Sequence, residues 1–159
     1  MTTNGDNAYA ALSATLGKPE GTGEWFEITQ ERINAFADVT VDQQFIHVDP
    51  EACKTMSPFG VPIAHGFLTL SLLTVLSSTI ATDPASLTGI VMGLNYGFEK
   101  VRFVNPVKVG SKVRASSVLS AVEQKDANTL QVTRTFTVEI DGETKPALVA
   151  EWVTRLIYG

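Results

Sequence analysis

The stretch HGFLTLSLLTVLSSTI, residues 65–80, indicates the centre of the fold. On a helix, its apolar residues leave almost no polar face: Phe67, Leu68, Leu70, Leu72, Leu73, Val75 and Leu76. Such a helix must be covered on most sides. Because the apolar run falls short of the roughly 18 residues that a membrane span needs, the pattern predicts a buried central helix and no membrane span.

The chain after this helix has the pattern of long strands. Four segments are rich in β-branched and aromatic residues: 89–104, 111–124, 129–140 and 145–158. Turn residues separate them: Asn105-Pro106, Asp126 to Asn128 and Asp141-Gly142. We therefore predict a meander of antiparallel strands wrapped over the central helix, an α+β architecture. Such a sheet leaves a strand edge and an apolar rim open, which favours pairing with a second copy.

The chain before the central helix divides into two parts. We assign residues 1–23 to an N-terminal helix and linker, with the helix over 7–16, and residues 24–159 to a single domain. Within that domain, residues 24–28 have strand composition, and Thr29 precedes a helix that runs to about residue 40. Residues 41–63 lose all periodicity, and a loop of this length in a small domain is usually functional.

Composition excludes several classes of function. A chain of 159 residues holds one domain with its own core. Charged residues make up 18% of it and the formal net charge is -5, so no basic surface is expected and nucleic acid is an unsuitable partner. The single cysteine, Cys53, cannot form an internal disulfide, and the N-terminal residues lack the pattern of a secretory signal, which predicts a cytoplasmic protein.

Both histidines of the chain lie in one segment, residues 41–73. An aspartate and a histidine that converge on one water form an acid–base couple, and Asp42 and His47 are five residues apart. The alternative is that both are turn formers or helix caps. Asp49 before Pro50 has the pattern of a helix start, so its predicted role is structural.

His65 and Gly66 stand at the beginning of the central helix. Free backbone N–H groups at such a position can hold an oxygen that gains negative charge. Alternatively, Gly66 only eases helix packing and His65 only caps a loop. Ser71 could face a pocket or bond back to its own helix.

Other chemistries have no support in the sequence. Two histidines and one cysteine do not supply a structural zinc set, and no second histidine follows His47 at helical spacing. Neither a glycine-rich phosphate loop nor a GxSxG elbow is present. We expect no metal.

Two motif blocks carry a specific resemblance: DQQFIHVDPEA, residues 42–52, and FGVPIAHGFLTLSL, residues 59–72. Together they resemble the hydratase motif of the MaoC-like, (R)-specific enoyl-CoA hydratase family, in the branch that contains nodulation protein N. The likeness extends through ITQERINAFADVT before the blocks and YGFEKVRFVNPVKVG after them. It therefore covers most of the chain from about Trp25 onward.

The resemblance implies a hot-dog fold, in which an antiparallel sheet wraps a long central helix, usually assembled as a homodimer with a continuous sheet. The catalytic aspartate and histidine of the family match Asp42 and His47. Its His-Gly at the helix start matches His65 and Gly66, and its helix serine matches Ser71. The implied reaction is reversible syn addition of water to a trans-2-enoyl-CoA, which gives the (R)-3-hydroxyacyl-CoA without a metal or redox cofactor.

In the implied reaction, each site residue has a role. Asp42 is favoured as the base, while His47 positions the water and handles the proton that reaches C2. The N–H of Gly66 would stabilise the enolate oxygen. His65 and Ser71 would frame the site of the thioester.

One departure from the commonest family pattern stands between the two catalytic positions, where Gln44-Phe45 replaces Asn-Pro. Gln44 can supply similar orienting hydrogen bonds, whereas Phe45 puts the shape of the acyl pocket in doubt. For the phosphates of coenzyme A, the resemblance leaves three basic candidates: Lys100, Arg102 and Lys108. The alternative for each is a solvated charge at a strand end.

Two other functions remain open from the sequence. A hot-dog acyl-CoA thioesterase would direct water to the carbonyl carbon and free the coenzyme A thiol. A non-catalytic accessory protein would keep the acyl-thioester pocket with little turnover.

Overall fold

The computed structural model describes residues 2–159 and contains a mixed α+β architecture. The helices are α1 Asn4–Ser13, α2 Gln30–Thr40, α3 Phe45–Val48, α4 Pro50–Met56, α5 Gly66–Ser71, α6 Leu73–Ser78 and α7 Pro84–Leu87. The strands are β1 Pro19–Thr22, β2 Phe26–Glu27, β3 Ile90–Phe103, β4 Lys112–Asp126, β5 Thr129–Ile140 and β6 Leu148–Tyr158.

All strand pairs of the sheet are antiparallel, in the order β1-β4-β5-β6-β3, and β2 also pairs with β4. Strands β4, β5 and β6 form the predicted meander. The prediction was wrong for β3, which pairs with β6 instead of β4. The reason is the link between β3 and β4, because Val107 O accepts from Ala64 N at 2.7 Å and Gly110 N donates to Ile28 O at 2.7 Å. The first bond holds the link beside the start of the central helix and the second holds it beside the end of β2, so the chain crosses to the other edge of the sheet.

The predicted central helix is confirmed as two consecutive segments, α5 and α6, separated only by Leu72. Leu72 N donates to Leu68 O and Leu76 N donates to Leu72 O, both at 2.9 Å, so the chain keeps its helical course. The buried face of this helix packs on the sheet in one core: Leu68, Leu72, Leu73, Leu76, Val113, Phe136, Val138, Leu148 and Ala150. No helix in residues 2–159 is long and apolar enough to cross a membrane.

The N-terminal helix begins earlier than the predicted range of 7–16. Thr3 and Asp6 form a capping box, in which Asp6 N donates to Thr3 Oγ1 at 3.1 Å and Thr3 N donates to Asp6 Oδ2 at 2.9 Å. Helix α1 packs its buried Ala8 and Leu12 on the sheet, in a second apolar cluster with residues of β4, β5 and β6. Residues of the predicted linker form β1, because the extended chain finds donors and acceptors on the edge of β4.

The segment 41–63 contains two short helices, α3 and α4, where the sequence predicted a loop. Asp49 is the N-cap of α4 as predicted, since its Oδ1 accepts from Ala52 N at 2.9 Å. Ile63 N donates to Ile46 O at 2.9 Å, which joins the end of this segment to α3. Both ends of the excursion therefore meet beside the start of α5.

Candidate active site

Asp42 lies just beyond the end of α2, where the chain changes direction. Val41 is the C-cap of this helix and has left-handed backbone angles, φ 60° and ψ 23°. This turn places Asp42 over α3 and the start of α5. The Asp42 carboxylate accepts no hydrogen bond from residues 2–159, so both its oxygens are available to a ligand.

His47 is a buried residue of α3, 7% exposed, and its tautomer follows from one contact. Its Nδ1 lies 2.7 Å from the backbone oxygen of Ile63, so this nitrogen carries the hydrogen and donates it. In the neutral ring, Nε2 is then a hydrogen-bond acceptor. Burial, the largest cause, lowers the pKa of His47; the bond to Ile63 opposes this, His65 lowers the pKa further and Asp42 raises it. The net direction favours the neutral ring.

Asp42, His47 and His65 form one cluster, called here the catalytic cluster, in which one ligand atom from each lies within 4.8 Å of the others. These three side chains could contact a metal. The two imidazoles, however, are stacked with centroids 3.8 Å apart and planes 24° from parallel. Lone pairs in two nearly parallel planes do not converge on one ion, so the cluster suits hydrogen bonding to a small polar molecule better than metal binding.

His47 opens onto a cavity of about 290 Å³, called here the catalytic cavity. It is lined by loop, helix and strand residues: His47, Phe59, Ile63, Ala64, Gly66, Thr69, Phe103, Asn105, Pro106, Val107 and Ala147. Gly66 is the first residue of α5, so its N–H has no acceptor within the helix, and none elsewhere in residues 2–159. The His47 ring and the free N–H of Gly66 thus belong to the lining of one small cavity, while the Asp42 carboxylate lies outside that lining, within 4.8 Å of a ring nitrogen of His47.

The sequence of this chain matches the profile of a known protein family. The family profile described as "MaoC like domain" matches residues 11–140, which is most of the chain. The chain belongs to the MaoC-like family. The predicted resemblance is confirmed.

Individual relatives of this MaoC-like protein agree with that assignment. It is 48% identical over 150 residues to 3-hydroxyacyl-thioester dehydratase Z of Mycobacterium tuberculosis, covering 94% of this chain and 96% of the relative. It is 47% identical over 142 residues to nodulation protein N of Rhizobium meliloti, covering 89% and 86%. The solved structure of the (R)-hydratase from A. caviae involved in PHA biosynthesis superposes with a TM-score of 0.68 at 25% identity, covering 87% and 94%. The hot-dog fold predicted from the resemblance is thereby confirmed.

The other predicted site residues, Ser71, Gln44 and His65, do not line the catalytic cavity. Ser71 is exposed, and its Oγ donates to Phe67 O at 2.8 Å, which is the back-bonding that the sequence left open. Gln44 is exposed and is the N-cap of α3, with no side-chain capping bond. His65 is buried against His47 and is not among the residues that line the catalytic cavity.

The three basic candidates for coenzyme A phosphates differ in their surroundings. Lys100 pairs with Glu151 at 3.1 Å, and Arg102 Nη1 donates to Val101 O at 2.8 Å. Lys108 forms no ion pair within the described chain and directly follows the cavity residues Pro106 and Val107. Its role toward coenzyme A stays a prediction, as for Lys100 and Arg102.

The cavity residues that sequence reasoning missed include Thr69, Phe103 and Asn105. Thr69 follows Gly66 by three positions, and residues at that spacing share a helix face, so this signal was present in the sequence. Phe103 covers Gly66 so closely that a Cβ there would lie 3.0 Å from its ring. No local pattern could place β3 beside α5, because that contact depends on the order of strands in the sheet.

Proposed function

We propose that this MaoC-like protein is an (R)-specific enoyl-CoA hydratase, which acts in reverse as a 3-hydroxyacyl-thioester dehydratase. The observation that carries the proposal is that His47, which is close to the Asp42 carboxylate and has a free acceptor at Nε2, lines the same cavity as the free N–H of Gly66. Acceptors hold and deprotonate a water, and a donor stabilises a developing oxyanion. The reaction needs both.

The water is activated by the catalytic cluster. Asp42 and His47 Nε2 each accept one hydrogen of the water, whose oxygen then bonds to C3 of the enoyl thioester while a proton passes to this pair. The electrons of the C2–C3 double bond move toward the thioester oxygen, which gives an enolate. The pair then returns one proton to C2. Because water and proton reach the substrate from the same side, the addition is syn.

The thioester oxygen gains the negative charge of the enolate. We assign its stabilisation to the N–H of Gly66, where the absence of a Cβ leaves room for the Phe103 ring that packs against this residue. Phe103 and Phe67 lie edge to face, 6.0 Å between centroids, and form an aromatic wall beside this donor.

The names of the relatives support this reaction. Dehydratase Z is named for a 3-hydroxyacyl thioester, and the A. caviae protein is named an (R)-hydratase. Hydration and dehydration are one equilibrium, so a single arrangement of acid, base and oxyanion donor serves both directions.

A second copy of the chain is the partner we propose. Strand β3 pairs only with β6, so its outer edge is open within the described residues. Large apolar side chains are exposed along it: Val91, Met92, Leu94, Tyr96 and Phe98. An edge of this length and composition is expected to pair with an identical edge across a two-fold axis, which extends the sheet through a homodimer. Sedimentation of wild type and a Leu94→Lys variant tests this, since a charge at the edge should yield monomers.

The function is tested with crotonyl-CoA and a longer trans-2-enoyl-CoA. Wild type should abolish the enoyl absorbance and produce the (R)-3-hydroxyacyl-CoA, while His47→Ala, folded by circular dichroism, should be slower by about 10²–10⁴-fold. A thiol reagent should detect no free coenzyme A. Thiol release would indicate a thioesterase, and tight binding of the enoyl-CoA without any absorbance loss would indicate an accessory binding protein.

A further inference from the structure

The imidazole of His65 is a buried side chain at the site for which the mechanism has no direct use. It is 2% exposed and does not line the catalytic cavity. Its Nδ1 is buried and has no hydrogen-bond partner in the described chain. An orphaned polar atom in a protein interior calls for an explanation, because it is costly to keep.

His65 contacts both members of the catalytic pair. Its Nε2–H donates to the backbone oxygen of Asp42 at 3.0 Å. Its ring face stacks on the ring of His47 at 3.8 Å between centroids. The edge of its ring lies against Phe36 of α2, 5.1 Å between centroids and 54° between planes.

The contact to Asp42 holds a strained part of the chain. Val41 is the only residue other than glycine with positive φ in residues 2–159, and a β-branched side chain disfavours that conformation. Val41 is 82% exposed, so burial of its own side chain does not offset the strain. The turn must be held by its neighbours, which are the His65 bond to Asp42 O and a bond from Gln43 Nε2 to Asp38 Oδ1 at 2.8 Å.

The stacking contact fixes the plane of the His47 ring, which a single hydrogen bond cannot do. The bond from Nδ1 to Ile63 O fixes the direction of one ring nitrogen but leaves the ring free to swing about that bond. A flat partner against the ring face removes this freedom. Together, the bond and the stack define where Nε2 lies in the cavity.

We propose that His65 is a positioning residue, which fixes the Asp42 backbone through Nε2 and the His47 ring plane by stacking. The inference rests on the proposed hydratase function. The imidazole supplies a flat ring and a rigidly placed N–H in one side chain, which no aliphatic or amide residue combines. The unpartnered Nδ1 is then the cost of using an imidazole for both contacts.

Three variants separate the two contacts. His65→Gln keeps an N–H donor without a ring, His65→Phe keeps a ring without a donor, and His65→Leu keeps neither. Because misplacement of a reacting group by about 1 Å can cost about 100-fold, we expect kcat to fall by about 100-fold in His65→Leu and by about 10-fold in the other two. KM should change less than kcat, since His65 does not line the cavity. Urea unfolding of each variant gives the folded fraction to which kcat is normalised.

A second readout responds to positioning and not to stability. Asp42 and His65 are the titratable groups that face the His47 ring, and His65 contributes to its lowered pKa. In each variant, His47 is the only histidine left in the chain, so its ring resonances titrate without ambiguity. Loss of the His65 charge should raise the His47 pKa in all three variants, and loss of the stack should expose the His47 ring and raise it further in His65→Gln and His65→Leu than in His65→Phe.

Phe36→Leu is the matched control, since it removes the aromatic contact on the edge of His65 and leaves the contacts to Asp42 and His47. It should lower stability without moving the His47 titration. The proposal is overturned if the folded His65 variants keep wild-type kcat, or if their losses match the folded fraction while the His47 pKa rises equally in all three. If wild type lacks hydratase activity, the proposed function fails, whereas the difference in His47 titration between His65→Phe and the other two variants still tests whether the stack positions the ring.

Discussion

Two clusters of polar side chains lie partly buried in this protein, and they differ in how completely their atoms are bonded. In the first, the catalytic cluster, the carboxylate of Asp42 and Nε2 of His47 have no partners in residues 2–159. In the second, called here the Glu20 cluster, Arg134 Nε donates to both oxygens of Glu20 at 3.0 Å and Ser117 Oγ donates to one of them at 2.7 Å. The Glu20 cluster lines a cavity of about 220 Å³ between the sheet and the region of α6 and α7.

The difference distinguishes charged groups that stabilise the fold from charged groups that we propose to act in catalysis. Glu20 and Arg134 neutralise each other, and their side chains are only 16% and 19% exposed, so the pair ties β1 to β5. The catalytic cluster leaves acceptors unpaired beside a cavity, which raises the energy of the empty site and makes those acceptors available to water. The two clusters are therefore distinguished by whether their carboxylate has a hydrogen-bond partner.

Removing one carboxylate charge from each cluster tests this comparison most strongly. Asp42→Asn should lower kcat by about 10²–10⁴-fold and leave the free energy of unfolding unchanged or raised, because no bonded partner is lost. Glu20→Gln should keep kcat and lower the free energy of unfolding by about 1–3 kcal/mol, because Arg134 loses its anionic partner. Enoyl-CoA hydration and urea unfolding measure the two effects. The reverse outcome, activity lost with Glu20 and stability lost with Asp42, would refute the distinction.

The free N–H of Gly66 extends the comparison from acceptors to donors. Gly66→Pro removes this N–H at the first helical position, where proline is well tolerated, and His65 has backbone angles that suit a residue before proline. Gly66→Ala is the control, because it adds a Cβ near Phe103 but keeps the N–H. The proline variant should be about 100-fold slower than the alanine variant in kcat. Equal rates in the two variants would exclude the N–H as the oxyanion donor.

The pH dependence reports the free acceptor on His47. Burial lowers its pKa below the ordinary 6.5, so the neutral, active ring persists through pH 6.5 and is lost only at more acidic pH. Below the lowered pKa, kcat should fall by about tenfold per pH unit. The folded state also binds this proton less readily than the unfolded state, so the free energy of unfolding should decrease as the pH falls from 6.5. An acidic limb above pH 6.5 in wild type would contradict the assignment.

The smallest expected changes in activity come from removing the hydroxyl of Thr69 or of Ser71 in the central helix. Thr69 lines the catalytic cavity, and its hydroxyl has no partner in the described residues, whereas Ser71 is exposed and bonds back to Phe67 O. Thr69→Val should lower kcat/KM by up to about tenfold through loss of one hydrogen bond to the substrate. Ser71→Ala should change kcat/KM by less than about twofold. A larger loss for Ser71→Ala would place the thioester on the other face of α5.

Much of the fold could be predicted because its signals are local. The apolar run 65–80 indicated the central helix, and alternation with turn residues located the four long strands. Strand β1 was missed because four residues containing proline and glycine have no strand propensity of their own. Helix α3 was missed because its four residues are too few to show a helical period, whereas the start of α4 was predicted from Asp49 and Pro50.

The sequence by itself determined the chemistry that this protein can offer: two motif blocks, an aspartate and a histidine five residues apart, and a glycine at a helix start. Only the tertiary structure decided which polar atoms of these residues lack a hydrogen-bond partner and can therefore bind a ligand. Three features position these atoms: the left-handed backbone of Val41, the bond from His47 to Ile63 O and the stack of His65 on His47. The stack joins residues that are 18 positions apart in the chain. Such contacts form only when α2, α3 and α5 pack together, because a hydrogen-bond pattern across helices leaves no period in the sequence.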